Sequence, residues 1–170
     1  QRLFRKLRSI ARFLKKDENV WVLTPLLLPL WSIGAVRSLN VFLLTLQLRW
    51  AMKRCGICTP MFWAGIPTAA LLLRSIPHRG VVYYVQDNYP AYYDAMNFTR
   101  IQKDHDTMLR EADAVICASI GLHERISESR QHVVYIPHGV HPAFLAAALE
   151  RGNAVPAAIA DIPHPIIGYW

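Results

Sequence analysis

The stretch GVVYYVQDNYP at residues 80–90 decides the fold. Its apolar part is a continuous β-branched and aromatic run, which is typical of a strand covered on both faces. Two similar runs follow, AVICAS at 114–119 and HVVYIP at 132–137. Helical segments separate them, at about 99–112 and in GLHERISES at 121–129. This alternation predicts an α/β domain with a parallel sheet and helices on both faces, a Rossmann-like doubly wound fold.

Earlier segments extend the same alternation. NVWVLTP at 19–25 and ICTPMFW at 57–63 read as strands, and Pro67 can open a helix because proline is tolerated in a first turn. Residues from about Ser38 to Arg54 contain no Gly or Pro and predict a helix with Ser38 or Asn40 as its cap and Gly56 as its stop. PAFLAAALE at 142–150 predicts a last short helix.

The chain divides by composition after these elements. Residues 1–150 form the predicted Rossmann-like domain, whose first strand we expect to be missing upstream of Gln1. Residues 151–164 are rich in Ala and Pro without a period and predict an interdomain linker. Residues 165–170 read as the first strand of a second domain. We therefore expect a chain that is cut at both ends.

Composition and charge narrow the function classes. The 170 residues are 53% hydrophobic and 18% charged, which is globular and not disordered. The formal net charge is +7, and residues 1–16 alone carry seven basic residues and no acid. The remaining charges cancel, so a basic nucleic-acid groove spread over the domain is not indicated. No apolar run reaches the roughly 18 continuous residues of a membrane span, and no signal-peptide cleavage site follows the basic start.

The first segment has the pattern of a basic amphipathic helix. Apolar residues recur at three- and four-residue spacing from Leu3 to Leu14, with Lys and Arg on the other faces. Such helices lie in the interface of anionic membranes, although the apolar stripe can equally pack on the sheet with its charges solvated. The membrane-facing candidates are Arg5, Lys6, Arg12 and Lys16.

Candidate site residues follow the predicted strands, because ligands of open α/β sheets bind at the carboxyl ends of the strands. The expected cleft positions are Trp63, Gly65, Gln86, Asp87, Asn88, Tyr89, Ser119, His138, Gly139 and His141. Asp87 can be a carboxylate that accepts a proton from a substrate hydroxyl, or only a turn cap. Ser119 can equally be the cap of the next helix. His138 and His141 lack a third ligand, so no metal site is expected.

Three cysteines are too few for a disulfide framework and favour a reducing compartment, the cytoplasm. Cys55 and Cys58 form a C-x-x-C pair, but Cys55 ends a helix instead of starting one, which disfavours redox chemistry. We expect both to be small buried residues, and Cys117 to lie deep in the sheet.

Four segments together resemble the amino-terminal domain of bacterial GT-B glycosyltransferases, in particular the teichuronic acid biosynthesis enzymes and their relatives. They are VVYYVQDNYPAYY at 81–93, READAVICAS at 110–119, VVYIPHGVHPAF at 133–144 and PHPIIGYW at 163–170. The chain departs from the family pattern at Gln86, at His138 to His141, and at His105, where the family has a Glu. The resemblance covers about residues 57–170.

The resemblance implies transfer of a sugar from a nucleotide-sugar donor to a glycan or lipid-linked acceptor in cell-surface polysaccharide biosynthesis. It implies no cofactor and no obligatory metal. The donor would be bound by the carboxy-terminal domain, so we expect this acceptor-side domain to be inactive alone and to sit in the cytoplasm, peripherally on the inner face of the plasma membrane. In an inverting enzyme Asp87 is the expected base; in a retaining one it positions hydroxyls. The alternatives are a non-enzymatic module that binds an anionic surface, and a nucleotide-sugar epimerase of related fold.

Overall fold

The structure, a computed structural model, describes residues 13–30, 33–92, 95–150 and 161–163. The chain divides into two compact units, 1–137 and 138–170, and each is described by itself. The described elements of the first unit are β1 (Leu14–Asp17), β2 (Val20–Leu23), α1 (Gly34–Arg54), β3 (Met61–Ala64), the 3-10 helix η1 (Pro67–Leu72), β4 (Gly80–Val85), the 3-10 helix η2 (Tyr89–Tyr92), α2 (Ala95–Glu111), β5 (Ala114–Cys117), α3 (Ile120–Ser127) and β6 (Val133–Tyr135). The second unit contains α4 (Pro142–Leu149).

The main sheet has four parallel strands in the order β3-β4-β5-β6. Each strand is followed in the chain by the strand beside it, and η1, α2 and α3 form the connections. A parallel pair needs such a crossover, because a tight turn can join only antiparallel strands. The prediction of an α/β, Rossmann-like fold with a parallel sheet is confirmed.

One face of this sheet forms the hydrophobic core. Tyr83 and Val85 of β4 and Val115 and Cys117 of β5 have no exposed surface, and they share a face because the register pairs Tyr83 with Val115 and Val85 with Cys117. The core is completed by residues of the connecting helices and of β3 and the start of β4: Ala64, Leu73, Val81, Met108, Ala112, Leu122 and Ile126. The buried side chains of the core therefore stand at alternate positions of the strands.

The opposite sheet face remains open to solvent at several positions. Met61 and Trp63 of β3 and Val134 of β6 are 48%, 60% and 48% exposed. These exposed residues alternate with more buried neighbours along β3 and β6, so the two faces of the sheet differ in burial.

A hairpin stands where the end of the basic helix was predicted. Residues 1–12, with Arg5, Lys6 and Arg12, lie outside the described residues, but β1 pairs antiparallel with β2. The helix prediction is thus wrong for Leu14 to Lys16. The β-rich VWV run of β2 supplies a strand partner, and Glu18 adopts a positive φ of 49° in the tight turn between them. Lys16 lies across from Trp21, with its ammonium 5.7 Å from the ring centroid.

Helix α1 starts earlier than predicted and ends where predicted. Its first residue is Gly34, so the proposed caps Ser38 and Asn40 lie inside the helix. At the other end Gly56 has a positive φ of 69°, and the amides of Gly56 and Ile57 donate to the carbonyls of Lys53 and Met52. These two hydrogen bonds form a Schellman motif, which requires a residue that tolerates the left-handed conformation.

Two side-chain amides of α1 hold the preceding loop. The fully buried Asn40 accepts from the Leu28 N–H and donates to the Leu28 carbonyl, both at 2.8 Å. Gln47 does the same with Leu26, at 2.8 and 3.1 Å. Each amide thus satisfies a donor and an acceptor of the loop backbone, as a neighbouring strand would. The polar residue expected to cap the helix therefore anchors a loop instead.

Asp113 ties the starts of β4 and β5 together. Its Oδ2 accepts from the Val81 N–H at 2.7 Å, and its own N–H donates to the Val81 carbonyl at 2.8 Å. Gly80 packs tightly here, since an added Cβ would lie 3.1 Å from Met61 Sδ and 3.3 Å from Asp113 Oδ2. The Ala-Asp pair before β5 thus has a structural role at the edge opposite the candidate cleft.

Candidate functional site

The carboxyl ends of β3, β4 and β5 meet at one edge, as the sequence predicted for the cleft. The Ala118 N–H donates to the Val85 carbonyl at 3.0 Å, so the segments after β4 and β5 leave the sheet side by side. The segment after β4 carries Gln86, Asp87 and Asn88, all exposed, and turns into η2. This edge is the one where open α/β sheets bind ligands.

Tyr89 links the segment after β4 to the segment after β3. Its hydroxyl donates to the Gly65 carbonyl at 2.6 Å. Gln86 is also near Gly65, because a Cβ added there would lie 3.9 Å from Gln86 Nε2. The structure therefore brings these three sequence-predicted residues together, with Tyr89 half-buried and in a tethering position.

The two polar residues at the tip of this segment have different partners. The Asp87 carboxylate accepts from the Tyr92 hydroxyl at 3.2 Å, and the Asp87 carbonyl accepts from the Tyr89 N–H at 2.9 Å. Asn88 Oδ1 accepts from the Arg125 guanidinium at 3.2 Å, which joins the segment to α3. Asp87 thus presents an exposed carboxylate held by one phenol, an arrangement that leaves acceptor lone pairs for a substrate hydroxyl.

Ser119 is the N-cap of α3. Its Oγ accepts from the Leu122 N–H at 3.3 Å, with extended backbone at the cap residue. The capping alternative accounts for this serine, although the residue also lies on the rim.

The remaining predicted residues belong to other elements. His138, Gly139 and His141 belong to the second unit, where His141 caps α4 by accepting from the Ala143 N–H at 3.2 Å. Trp63, expected after its strand, is the third residue of β3 and lies 6.3 Å from the Tyr84 ring, edge to face. Within the first unit, the segments after β3, β4 and β5 converge on one rim.

A polar cavity of about 260 Å³ lies between α2, α3 and the segment after β4. Its lining comprises Asn88, Pro90, Gln102, His105, Asp106, Leu109, Arg125, Ile126 and Ser129. His105 is 5% exposed, and its Nδ1 is hydrogen-bonded to the Tyr83 hydroxyl at 2.8 Å. In the sequence, His105 stands out only as a departure from a family pattern. The signal available was an imidazole on the face of α2 that also carries the core residues Ile101 and Met108.

Burial determines the protonation states of His105 and Tyr83. Desolvation lowers the pKa of His105, with nearby Arg125 acting in the same direction and Asp106 against it. Desolvation likewise raises the pKa of the Tyr83 hydroxyl far above its usual range. Both groups are therefore neutral at pH 7, and His105 keeps one nitrogen, Nε2, without a partner among the described residues.

The cysteines show no pairing. All three are free; Cys117 is buried, as predicted, and burial raises the pKa of its thiol. Cys58 is exposed, so the prediction of a buried pair is wrong for it. The reason is that Cys58 lies in the loop before β3 and not within the strand. Among the described residues, no group of three or more His, Cys, Asp and Glu side chains could hold a metal ion.

No protein-family model, curated protein or solved structure matches the chain. Of the helices that the structure describes, none has both the length and the apolar character to cross a membrane.

Proposed function

We propose that the chain is the acceptor-side domain of a glycosyltransferase that moves a sugar from a nucleotide-sugar donor to a glycan or lipid-linked acceptor in cell-surface polysaccharide biosynthesis. The observation that carries the proposal is the rim at the carboxyl ends of β3 to β5, where Gln86, Asp87 and Tyr89 lie beside Gly65. The four-segment resemblance given above supports the same activity. The nucleotide sugar is the substrate of a second, donor-binding domain, and no metal or cofactor enters the reaction.

Asp87 is the residue proposed to act on the acceptor. Its carboxylate is exposed at the tip of the segment, and the Tyr92 hydroxyl fixes one oxygen at 3.2 Å. A carboxylate that accepts the acceptor hydroxyl proton acts as a general base in an inverting reaction. In a retaining reaction the same group orients the hydroxyl by a hydrogen bond. Both roles require the charge and position of the side chain.

The test compares Asp87→Asn with its parent in the complete gene product that includes the donor-binding domain. We expect kcat to fall by a factor of about 100 or more, because general-base groups contribute about 10² to 10⁴. Asp17→Asn, an exposed aspartate in β1, is the matched control and should retain full activity. Equal turnover in Asp87→Asn and its parent would reduce Asp87 to a turn residue. Sugar transfer by the 170-residue chain alone would contradict its assignment as an acceptor-side domain.

A second candidate function, docking to an anionic membrane surface, is favoured by the charge distribution. Residues 1–86 contain thirteen Lys and Arg and only two acids, Asp17 and Glu18, whereas residues 87–170 contain six Lys and Arg and ten acids. The apolar residues Leu39, Phe42, Leu46 and Trp50 recur along α1 at three- and four-residue spacing and are 45–59% exposed. A basic surface with an exposed apolar stripe fits the interface of an anionic bilayer. Such docking would hold an acceptor-side domain at the inner face of the plasma membrane.

Vesicle co-sedimentation tests the docking. We expect the chain to bind anionic vesicles at low salt, to lose most of the binding at high salt and to ignore neutral vesicles, because screened charge attraction dominates. A variant with Arg5, Lys6, Arg12 and Lys16 changed to Gln should bind less, and one with Phe42 and Leu46 changed to Ser separates the stripe of α1 from the basic segment. Binding that is equal on neutral vesicles, or unchanged in both variants, rules out membrane docking.

A further inference from the structure

The cavity between α2 and α3 has the composition of a small-molecule site. The buried residues His105, Pro90 and Ile126 line it together with exposed polar side chains at its mouth. Two of these polar side chains are already oriented, since Gln102 donates to Asp106 at 2.7 Å and Arg125 donates to Asn88 at 3.2 Å. Binding sites combine apolar walls with a few such fixed polar groups.

The charges of the lining indicate a neutral ligand. Arg125 and Asp106 carry opposite charges, and the lowered pKa of His105 keeps its imidazole neutral at pH 7. A phosphate or nucleotide would meet a carboxylate, and a cation would meet a guanidinium, so neither gains from the site as a whole. Donors and acceptors are both available, from Arg125, Ser129 and Asp106. A ligand that offers several hydroxyls uses both kinds.

His105 is the buried polar group that a ligand would complete. Its Nδ1 is bonded to the Tyr83 hydroxyl, and its Nε2 has no partner among the described residues, while the ring lines the cavity. Nε2 is not fully buried, because Arg130 Nε is the one completely buried side-chain nitrogen or oxygen without a partner among the described residues. A hydroxyl in the cavity can therefore reach Nε2 and form a hydrogen bond with it. Leu109 and Ile126 provide the apolar surface against which the C–H groups of a sugar ring can pack. The volume of about 260 Å³ is enough for one sugar ring.

We propose that this cavity binds a single neutral hexose unit, with a hydrogen bond to Nε2 of the buried His105. Asn88 connects it to the rim, because Asn88 both lines the cavity and follows Asp87 directly. The hexose is therefore a sugar unit of the acceptor, held beside the segment that carries Asp87; this identification as acceptor, but not the binding itself, rests on the proposed function.

The test uses the complete chain with ¹⁵N-labelled histidine and the methyl glycosides of glucose, galactose and mannose as separate probes. We expect at least one of them to shift the His105 Nε2 resonance saturably, with a Kd on the order of millimolar, as for weakly held small ligands. His123, which lines no part of this cavity, is the internal control. Inorganic phosphate should leave His105 unchanged. His105→Gln assigns the resonance.

Two variants locate the binding. Ser129→Trp places a large ring at the cavity and should weaken the hexoside at least tenfold, whereas Ser127→Trp, exposed and two residues earlier, should leave it unchanged. Circular dichroism verifies that both fold. The inference is overturned if no hexoside shifts His105, if phosphate is the better ligand, or if Ser129→Trp binds as the parent does. Hexoside binding without transfer in the complete enzyme would overturn the glycosyltransferase proposal alone, and transfer without hexoside binding would overturn the inference alone.

Discussion

The ion pair between α1 and α2 provides the sharpest test of how the helical layer is held together. Arg37 donates to the Asp104 carboxylate, and the two side chains are only 16% and 9% exposed. Arg37→Met removes the charge and keeps most of the apolar stem, so the change isolates the pairing from the packing. The Asp104 carboxylate then remains largely buried with one fewer positive charge to stabilise it.

The expected cost follows from the surroundings of Asp104. Burial raises the pKa of this carboxyl, and Arg37 opposes the shift together with Arg100 and Lys103. Removing one partner of a buried pair costs about 3–5 kcal/mol in the free energy of unfolding. Since two cations remain near the carboxylate, we expect the lower end, about 3 kcal/mol. For a chain of this size that lowers the melting temperature by about 6–12 °C.

The assay is thermal and urea unfolding of the parent and Arg37→Met at several pH values. A raised folded-state pKa means that protonation of Asp104 favours the folded protein; this contribution is complete below the unfolded pKa of 3.8 and is lost as pH rises through the folded pKa. Arg37→Met raises the folded-state pKa of Asp104 further. The loss of stability in Arg37→Met relative to its parent should therefore be complete at neutral pH and become smaller as the pH falls toward 3.8. Asp104→Asn in the Arg37→Met background should recover stability.

The exposed pair of Lys15 and Asp17 is the matched control. Their distance is 3.1 Å and the side chains are 49% and 66% exposed, so Lys15→Met should cost no more than about 0.5 kcal/mol. If Arg37→Met loses no more stability than Lys15→Met, or if its deficit is the same at acid and neutral pH, the buried pair does not stabilise the contact between α1 and α2 as argued.

Three further changes probe single features. Gly80→Ala should cost about 1–3 kcal/mol by denaturant unfolding, because the new Cβ would press on Met61 and Asp113; an unchanged midpoint would mean that these side chains yield. Ser119→Ala should lower stability by about 1 kcal/mol through loss of the α3 cap. Loss of transfer activity in a variant that remains folded at the assay temperature would argue against a purely capping role. Cys58→Ser should leave the melting temperature within error, since its side chain is exposed; a clear shift would contradict that placement.

The order of strands and helices was predictable from the sequence, because buried parallel strands leave continuous apolar runs. The largely buried β4 and β5 lie within GVVYYVQD and AVICAS, and β6, a partly exposed edge strand, lies within the similar run HVVYIP. The end of α1 was also predictable, because the left-handed conformation of Gly56 that ends the helix favours glycine. The strand β1, at the end of the basic segment, was not predictable. The spacing of its residues favours a helix, whereas its strand conformation depends on pairing with β2.

The candidate site was predictable only in its location. The rim residues follow from the rule that ligands meet the carboxyl ends of strands, and Asp87 and Tyr89 are there. Partners from distant segments were not predictable: Arg125 reaches Asn88 across 37 positions of sequence, and His105 reaches Tyr83 across 22. The sequence separation of two residues does not indicate such contacts, because they form only when the helices pack on the sheet.

The two amides that hold the loop before α1 have a consequence for the opening of the loop. Asn40 and Gln47 stand on the same helix and bond to Leu28 and Leu26. They are presented together only once α1 has formed, whereas the loop has no periodic structure of its own. The loop can therefore form these hydrogen bonds only while this part of α1 is helical. In native-state hydrogen exchange, the amide protons of Leu26 and Leu28 would open whenever this part of α1 opens and so report on a helix to which they do not belong.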